Sequence, residues 1–137
     1  PELGVAKAAD VLHAGGTIGR FWNYHVLDES VVAMFEAVYR EHAPDAHPHG
    51  REPDDSGYLD PVAGNEAFCS VEARTYRWER ALSADEWVGQ AATFSDHQRL
   101  DPESLTTLMR ALHATIDTLG GTVHAHGRTY VVLARRA

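Results

Sequence analysis

Two adjacent glycines, Gly15 and Gly16, stand between a helical pattern and a strand-like run, and this order constrains the fold more than any other feature of the chain. Apolar residues before the glycines recur at helical spacing, which predicts a helix over about residues 2–13. The segment 17–26 is rich in β-branched and aromatic residues without a helical period, which predicts a strand. Glycine commonly ends a helix because it adopts the left-handed conformation at little cost. The pair therefore predicts a helix-to-strand turn.

The same glycines do not fit a phosphate-binding loop. Such a loop follows a strand and opens a helix, so that the first N–H groups of the helix face the phosphate. Here the helix comes first, and no Gly-Lys-Ser/Thr sequence follows the glycines. The pattern disfavours a nucleotide cradle at this point.

Capping signals place three further helices. Asp28 precedes a segment with apolar residues on one helical face, and Ser83 with Glu86 forms a capping box. Asp101 followed by Pro102 opens the most regular helical pattern in the chain.

Two further strands complete the predicted elements. Alternation over 67–82 predicts a long strand, and 128–134 reads as a nearly continuous buried strand. Between these elements, residues 42–65 are rich in proline, glycine and acidic residues, which predicts a long loop. With 137 residues, we expect one domain over 1–137.

Composition excludes several classes of partner. The formal net charge of −8 argues against nucleic acid, whose recognition requires clustered basic residues. No apolar run approaches the roughly 18 residues of a membrane span, and no signal peptide is visible. A single cysteine, Cys69, cannot form an internal disulfide, so a cytoplasmic location is expected, with Cys69 as a buried, inert thiol.

The stretch AADVLHAGGTIGRFWN resembles the helix, glycine turn and strand in the second half of class I S-adenosylmethionine-dependent methyltransferases. The downstream order is also similar: a helical insertion, then TYRWERALSADEWV, a strong helix and a closing GRTYVVLARR. This order is similar to the group that includes the trans-aconitate-methyltransferase-like proteins. The resemblance covers essentially the whole chain.

The resemblance implies the C-terminal half of a Rossmann-like α/β fold, with about three strands of mixed parallel and antiparallel pairing and four helices. The family binds S-adenosylmethionine through a glycine-rich loop in its first half, and no GxGxG sequence occurs here. We therefore expect no cofactor-binding residues in this chain and no methylation by the chain alone. A half-sheet also exposes an unpaired strand edge, so a homodimer, or pairing with a separate N-terminal half, is expected.

Candidate substrate-binding residues lie at the end of the first predicted strand and within the second. Asn23, Tyr24 and His25 stand near the C-terminal end of strand 17–26, where open α/β sheets place ligands. His25 could act as a base near neutral pH, whereas the alternative is a surface histidine at a strand end. Arg77 and Trp78 could bind a planar or carboxylate-bearing small molecule. The alternative for Trp78, and for Trp87, is packing at a strand–helix junction.

A metal site is not predicted. His42, Asp45, His47 and His49 form the only dense cluster of metal-ligating residue types, but their spacing matches no established zinc pattern, so only incidental affinity is expected. His124 and His126 are also read as incidental.

Two functions of different classes remain open. The chain could be the acceptor-side half of a methyltransferase that acts on a small molecule. Alternatively, it could be a non-catalytic dimeric module that binds a small ligand or a partner with the same half-fold.

Overall fold

The computed structural model describes residues 2–51 and 60–137, which form four α-helices and three β-strands. The elements follow in the order α1 (Glu2–Val11), β1 (Thr17–Leu27), α2 (Glu29–His42), β2 (Phe68–Ser83), α3 (Ala84–Ala91), α4 (Pro102–Thr118) and β3 (Thr122–Arg136). A short 3-10 helix, His97–Arg99, connects α3 to α4. The predicted α/β class, with four helices and about three strands, is confirmed.

The strands pair in the order β1–β3–β2, and the sheet is antiparallel. The closing strand β3 lies between the other two, so β1 and β2 run in the same direction without pairing with each other. The parallel component of the predicted sheet is therefore not seen among the described strands, because β3 separates the two strands that share a direction.

Contacts divide the described residues into two compact units, and all three strands contribute to both. The first unit contains residues 2–23, 60–77 and 128–137, and the second contains residues 24–51 and 78–127. The core of the first unit is small, formed by buried Val5, Val62, Phe68 and Ala134. Its loop residue Asp60 accepts a hydrogen bond from Arg20 of β1.

The glycine pair forms the predicted helix-to-strand turn in the first unit. Gly15 has a φ of 79°, and a Cβ at Gly16 would lie 2.9 Å from the carbonyl oxygen of His13. The Gly15 N–H donates to the Arg136 carbonyl at 2.9 Å, and the Arg136 N–H donates to the Gly16 carbonyl at 2.8 Å. The two glycines thus begin the β1–β3 pairing, and both positions favour glycine.

The second unit holds the main core. Helix α4 packs against both α2 and α3, and the three helices bury apolar side chains with the adjoining strand residues. The largest fully buried apolar side chains are Trp87, Phe35, Leu82, Leu108, Leu112 and Ile116. Each such side chain contributes about 1.5–3 kcal/mol by leaving water, so this cluster dominates the stability of the unit.

Two of the three predicted helix caps are confirmed. In the capping box, the Ser83 Oγ accepts from the Glu86 N–H at 3.2 Å and the Glu86 carboxylate accepts from the Ser83 N–H at 3.0 Å. Asp101 accepts from the Ser104 N–H at 3.0 Å. Asp28 also stands at the predicted N-cap position of α2, but its side chain makes no capping hydrogen bond.

The predicted loop at 42–65 is only partly described. Residues 43–51 and 60–67 contain turns but no helix or strand, whereas residues 52–59, which include Asp54 and Asp55, lie outside the described residues. Within the second unit, the Gly50 carbonyl accepts from the Leu27 N–H at 2.8 Å, which fixes the start of this loop beside the end of β1.

Two burial predictions are wrong. Cys69 is exposed because residues 69–77 of β2 are exposed on both faces of the strand. In the segment 128–134, residues 128–131 are half-buried, and residues 132–134 alternate between buried and exposed. The segment is therefore not continuously buried. None of the described helices is long and apolar enough to span a lipid bilayer.

Candidate functional site

The five predicted substrate-binding residues fall into two groups. Tyr24, His25 and Trp78 belong to the second unit, and within it His25 and Trp78 are in direct ring contact. Asn23 and Arg77 belong to the first unit and are both exposed. The Asn23 side-chain oxygen accepts a hydrogen bond from the Thr129 hydroxyl, which fixes it against β3.

His25 lies half-buried between two tryptophan rings. Its imidazole meets the Trp78 ring edge to face, with centroids 4.9 Å apart, and the Trp87 ring in the same manner at 6.2 Å. The capping box begins α3 at Ala84, and from this start Trp87 and Gln90 lie three residues apart on one helical face. The Gln90 amide nitrogen lies 3.1 Å from Nδ1 and 3.0 Å from Nε2 of His25.

A neighbouring glycine sets the position of the Trp78 ring. A Cβ at Gly127 of β3 would lie 2.0 Å from Cζ2 of Trp78, so only glycine leaves room for the indole there. The indole therefore packs directly on the backbone of β3, and its edge contacts His25. The predicted packing role holds for Trp87, which is fully buried, while Trp78 is half-buried and contacts both the core and His25.

The environment favours the neutral form of His25. Burial lowers its pKa below the ordinary value of 6.5, and the positive charge of Arg80 lowers it further. An amide N–H donor also requires a lone pair on the imidazole, as only the neutral ring has. His25 can therefore accept a proton at neutral pH.

This lowered pKa predicts a pH-dependent stability. Between the folded-state pKa of His25 and 6.5, the unfolded chain binds more protons than the folded chain, so stability rises with pH. In urea titrations between about pH 5 and pH 7, the free energy of unfolding of the parent chain should rise more steeply with pH than that of H25Q.

H124Q, which removes an exposed histidine of β3, is the matched control. A difference between the parent chain and H25Q that stays constant across this pH range would contradict the prediction.

A second cluster of polar side chains lies elsewhere in the same unit. We call it the histidine cluster, and its members are Tyr39, His49, Asp96 and His97. His97 is fully buried, and its Nδ1 lies 2.6 Å from the Ala91 carbonyl oxygen. Since a carbonyl can only accept, Nδ1 carries a proton, and in the neutral ring Nε2 then carries the lone pair. The Tyr39 hydroxyl then donates to that Nε2 at 3.0 Å.

His49 joins this cluster from the loop after α2. Its Nε2 lies 3.2 Å from both carboxylate oxygens of Asp96, and its ring packs on Phe94 with centroids 4.1 Å apart. Burial lowers the pKa of His49 below 6.5, although Asp96 opposes this shift. Burial and the charge of Asp96 together raise the pKa of Tyr39 well above its ordinary value, so its hydroxyl stays protonated.

Sequence reasoning missed the partners that these two histidines find. Gln90 was not predicted beside His25, and Asp96 and His97 were not predicted beside His49. The other members of the predicted loop cluster do not supply side chains to this group, and only the backbone N–H of His47 contacts Asp96, at 3.2 Å. The only sequence signal was the adjacent pair Asp96-His97 in the short link between α3 and α4, and Asp96 lies 47 residues after His49.

Comparisons with known proteins do not assign this chain to a family. No family model and no curated protein matches this chain. Two solved structures are similar over 98% of it: the YcgJ protein of Bacillus subtilis, with 17% identity and a TM-score of 0.42, and a candidate methyltransferase of Bacillus halodurans C-125, with 15% identity and a TM-score of 0.43. The chain spans 57% of the length of each. Similarity at this level carries no argument about activity, so the methyltransferase assignment stays a prediction.

Proposed function

We propose that this chain is the acceptor-side part of a methyltransferase-like protein and binds a small-molecule methyl acceptor at His25. The single observation that carries the proposal is the neutral, half-buried imidazole held by Gln90 and lined by two tryptophan rings. The observed order of helix, glycine turn, strand, helix, strand, two helices and closing strand also agrees with the order that the resemblance implies.

The chemistry of methyl transfer explains why such a histidine is useful. A hydroxyl or amine acceptor loses a proton as it gains a methyl group, and the neutral imidazole can take that proton on the nitrogen that Gln90 contacts, once the amide turns away. Indole rings supply a flat apolar surface. Arg80 lies near enough to lower the pKa of His25, and a carboxylate-bearing acceptor would compete for it with Glu86, to which Arg80 donates at 2.8 Å. In this proposal Tyr24 and Trp78 contact the acceptor together with His25.

The methyl donor belongs to a different part of the proposed protein. S-adenosylmethionine is the donor that the resemblance implies, and the sequence has no GxGxG segment to hold it. A separate polypeptide would supply the cofactor site. Either that polypeptide or a second copy of this chain would join β1, which pairs with β3 on one side only among the described strands. Phe21 of β1 is 72% exposed, and in this proposal it is the apolar side chain that such a contact would bury.

Calorimetric titration of the chain with S-adenosylmethionine and S-adenosylhomocysteine tests this division of roles. We expect no binding in the micromolar range by the chain alone, because the residues that would hold the cofactor are absent. Light scattering of the same sample should give the mass of a dimer. A Phe21→Glu variant, which places a charge on the exposed strand, should give the mass of a monomer.

Micromolar binding of the cofactor by a monomer would contradict the proposed division. Saturable binding of small organic acids that is unchanged in H25Q would contradict the assignment of His25. Binding of such acids without any response to a supplied cofactor-binding half would instead identify a non-catalytic binding module.

A further inference from the structure

We propose that His49, Asp96 and His97 form a binding site for a divalent transition-metal ion, with Zn²⁺ as the ion that suits them best. The three side chains offer ligand atoms that all lie within 4.8 Å of one another. They come from two segments far apart in the sequence, since His49 lies in the loop after α2, and Asp96 with His97 lies between α3 and α4. All three belong to the second unit.

The donor set selects the kind of ion. Two imidazole nitrogens and one carboxylate oxygen match the three-ligand sites in which zinc keeps a fourth position for water or a ligand. Mg²⁺ and Ca²⁺ prefer sets made of oxygen atoms, so they suit this group less well. The site thus favours a transition-metal ion that accepts nitrogen and oxygen ligands together.

The surroundings of His97 orient it as a metal ligand. Its Nδ1–H donates to the Ala91 carbonyl at 2.6 Å, which leaves the Nε2 lone pair directed away from that bond. A backbone carbonyl that fixes the second ring nitrogen is the usual outer partner of a metal-bound histidine. His97 is fully buried, so its imidazole is held in place without an ion.

Small movements would complete the coordination. Tetrahedral bonds of about 2.0–2.1 Å place ligand atoms roughly 3.4 Å apart, so the widest pair must close by at most about 1.4 Å. The side chain of His49 is 36% exposed and that of Asp96 is 21% exposed, and both lie at the edge of the cluster where such a rotation is open to them. The Tyr39 hydroxyl would release Nε2 of His97 to the ion and turn towards the fourth position.

Calorimetric titration of the full chain with ZnCl2, after dialysis against a chelator, tests the site. We expect one zinc per chain, and an affinity about a hundredfold weaker in H49Q and in D96N, since each removes one ligand. Both positions are partly exposed, so these variants test the site without emptying the core. The Y39F variant should bind zinc at least as tightly as the parent chain, because its hydroxyl no longer competes for Nε2 of His97.

Two matched histidine variants serve as controls. H47Q removes an exposed histidine of the same loop, and H113Q removes one that lies near Asp85 and Asp117 on the surface. Neither should change the zinc affinity. Absence of zinc binding, equal affinity in H49Q and the parent chain, or a loss confined to H47Q or H113Q would each overturn the proposal. The test does not involve His25 or any methyl donor, so its result is independent of the proposed function.

Discussion

Replacing Trp87 with alanine should lower the free energy of unfolding by about 4 kcal/mol. The indole is only 1% exposed and packs against Phe35 with ring centroids 5.5 Å apart. Alanine at this position removes the largest side chain of the main core and leaves a cavity that α3 and its neighbours cannot close without moving. Urea denaturation followed by far-ultraviolet circular dichroism measures the change.

A phenylalanine variant at the same position tests the packing of an aromatic ring separately from the role of the indole N–H. The Trp87 Nε1–H is buried and has no hydrogen-bond acceptor among the described residues. W87F therefore keeps much of the packing and breaks no hydrogen bond, so its cost should be about 1–2 kcal/mol. W22A, which removes a half-buried indole in the first unit, is the matched control and should cost less than W87A. Equal losses in W87F and W87A would contradict the cavity argument.

The consequences of W87A reach His25 as well. Trp87 forms one wall beside the imidazole, and burial is the first cause of the lowered pKa of His25. Removing that wall admits water, which should move the pKa of His25 back towards 6.5. The stability effect and the change in His25 therefore have one structural origin.

Local signals in the sequence predicted the helices well. The Ser83–Glu86 capping box and the Asp101-Pro102 pair each need only three or four neighbouring residues, and both form as expected. The Gly15-Gly16 turn also depends on local backbone conformation. Such features are predictable because the residues that interact are close in the sequence.

Burial and strand pairing were less predictable because both depend on distant parts of the chain. Alternation over 67–82 predicted β2 as a long strand but not its burial: residues 69–77 are exposed on both faces, and Cys69 with them. The sequence of β2 does not indicate whether either face is covered, because that depends on which other elements pack against the strand. The position of β3 between β1 and β2 is likewise a property of the sheet and not of any one strand.

The candidate sites were likewise hard to predict where they depend on residues that are distant in the sequence. His25 and Trp78 were each predicted from their positions on strands, and the structure brings their rings together. The contact of His49 with Asp96 spans 47 residues and has no spacing signature. One helix end contributes to both sites, because the Gln90 side chain contacts His25 while the adjacent Ala91 carbonyl accepts from His97. The last turn of α3 is therefore the part of the chain where both proposals can be perturbed together.

Replacing Gly127 with alanine should lower the free energy of unfolding by about 3 kcal/mol, although it adds only one methyl group. The added Cβ would lie 2.0–2.2 Å from three atoms of the Trp78 ring, which is far inside van der Waals contact. The ring must leave the backbone of β3, and it then loses its packing against both the core and His25. Urea denaturation measures the loss of stability.

A comparison with Gly19 and a double variant distinguish this clash from a general effect of glycine in strands. In β1, a Cβ at Gly19 would meet only the flexible end of the Leu133 side chain, at 3.3 Å, so G19A should cost less than about 1 kcal/mol. In W78A the ring is already absent, and adding G127A should then change stability by less than about 0.5 kcal/mol. An additive double variant would mean that G127A acts through the β3 backbone and not through Trp78. Strong coupling between G127A and W78A would instead show that the missing side chain at Gly127 is what allows the Trp78 indole to pack on β3 beside His25.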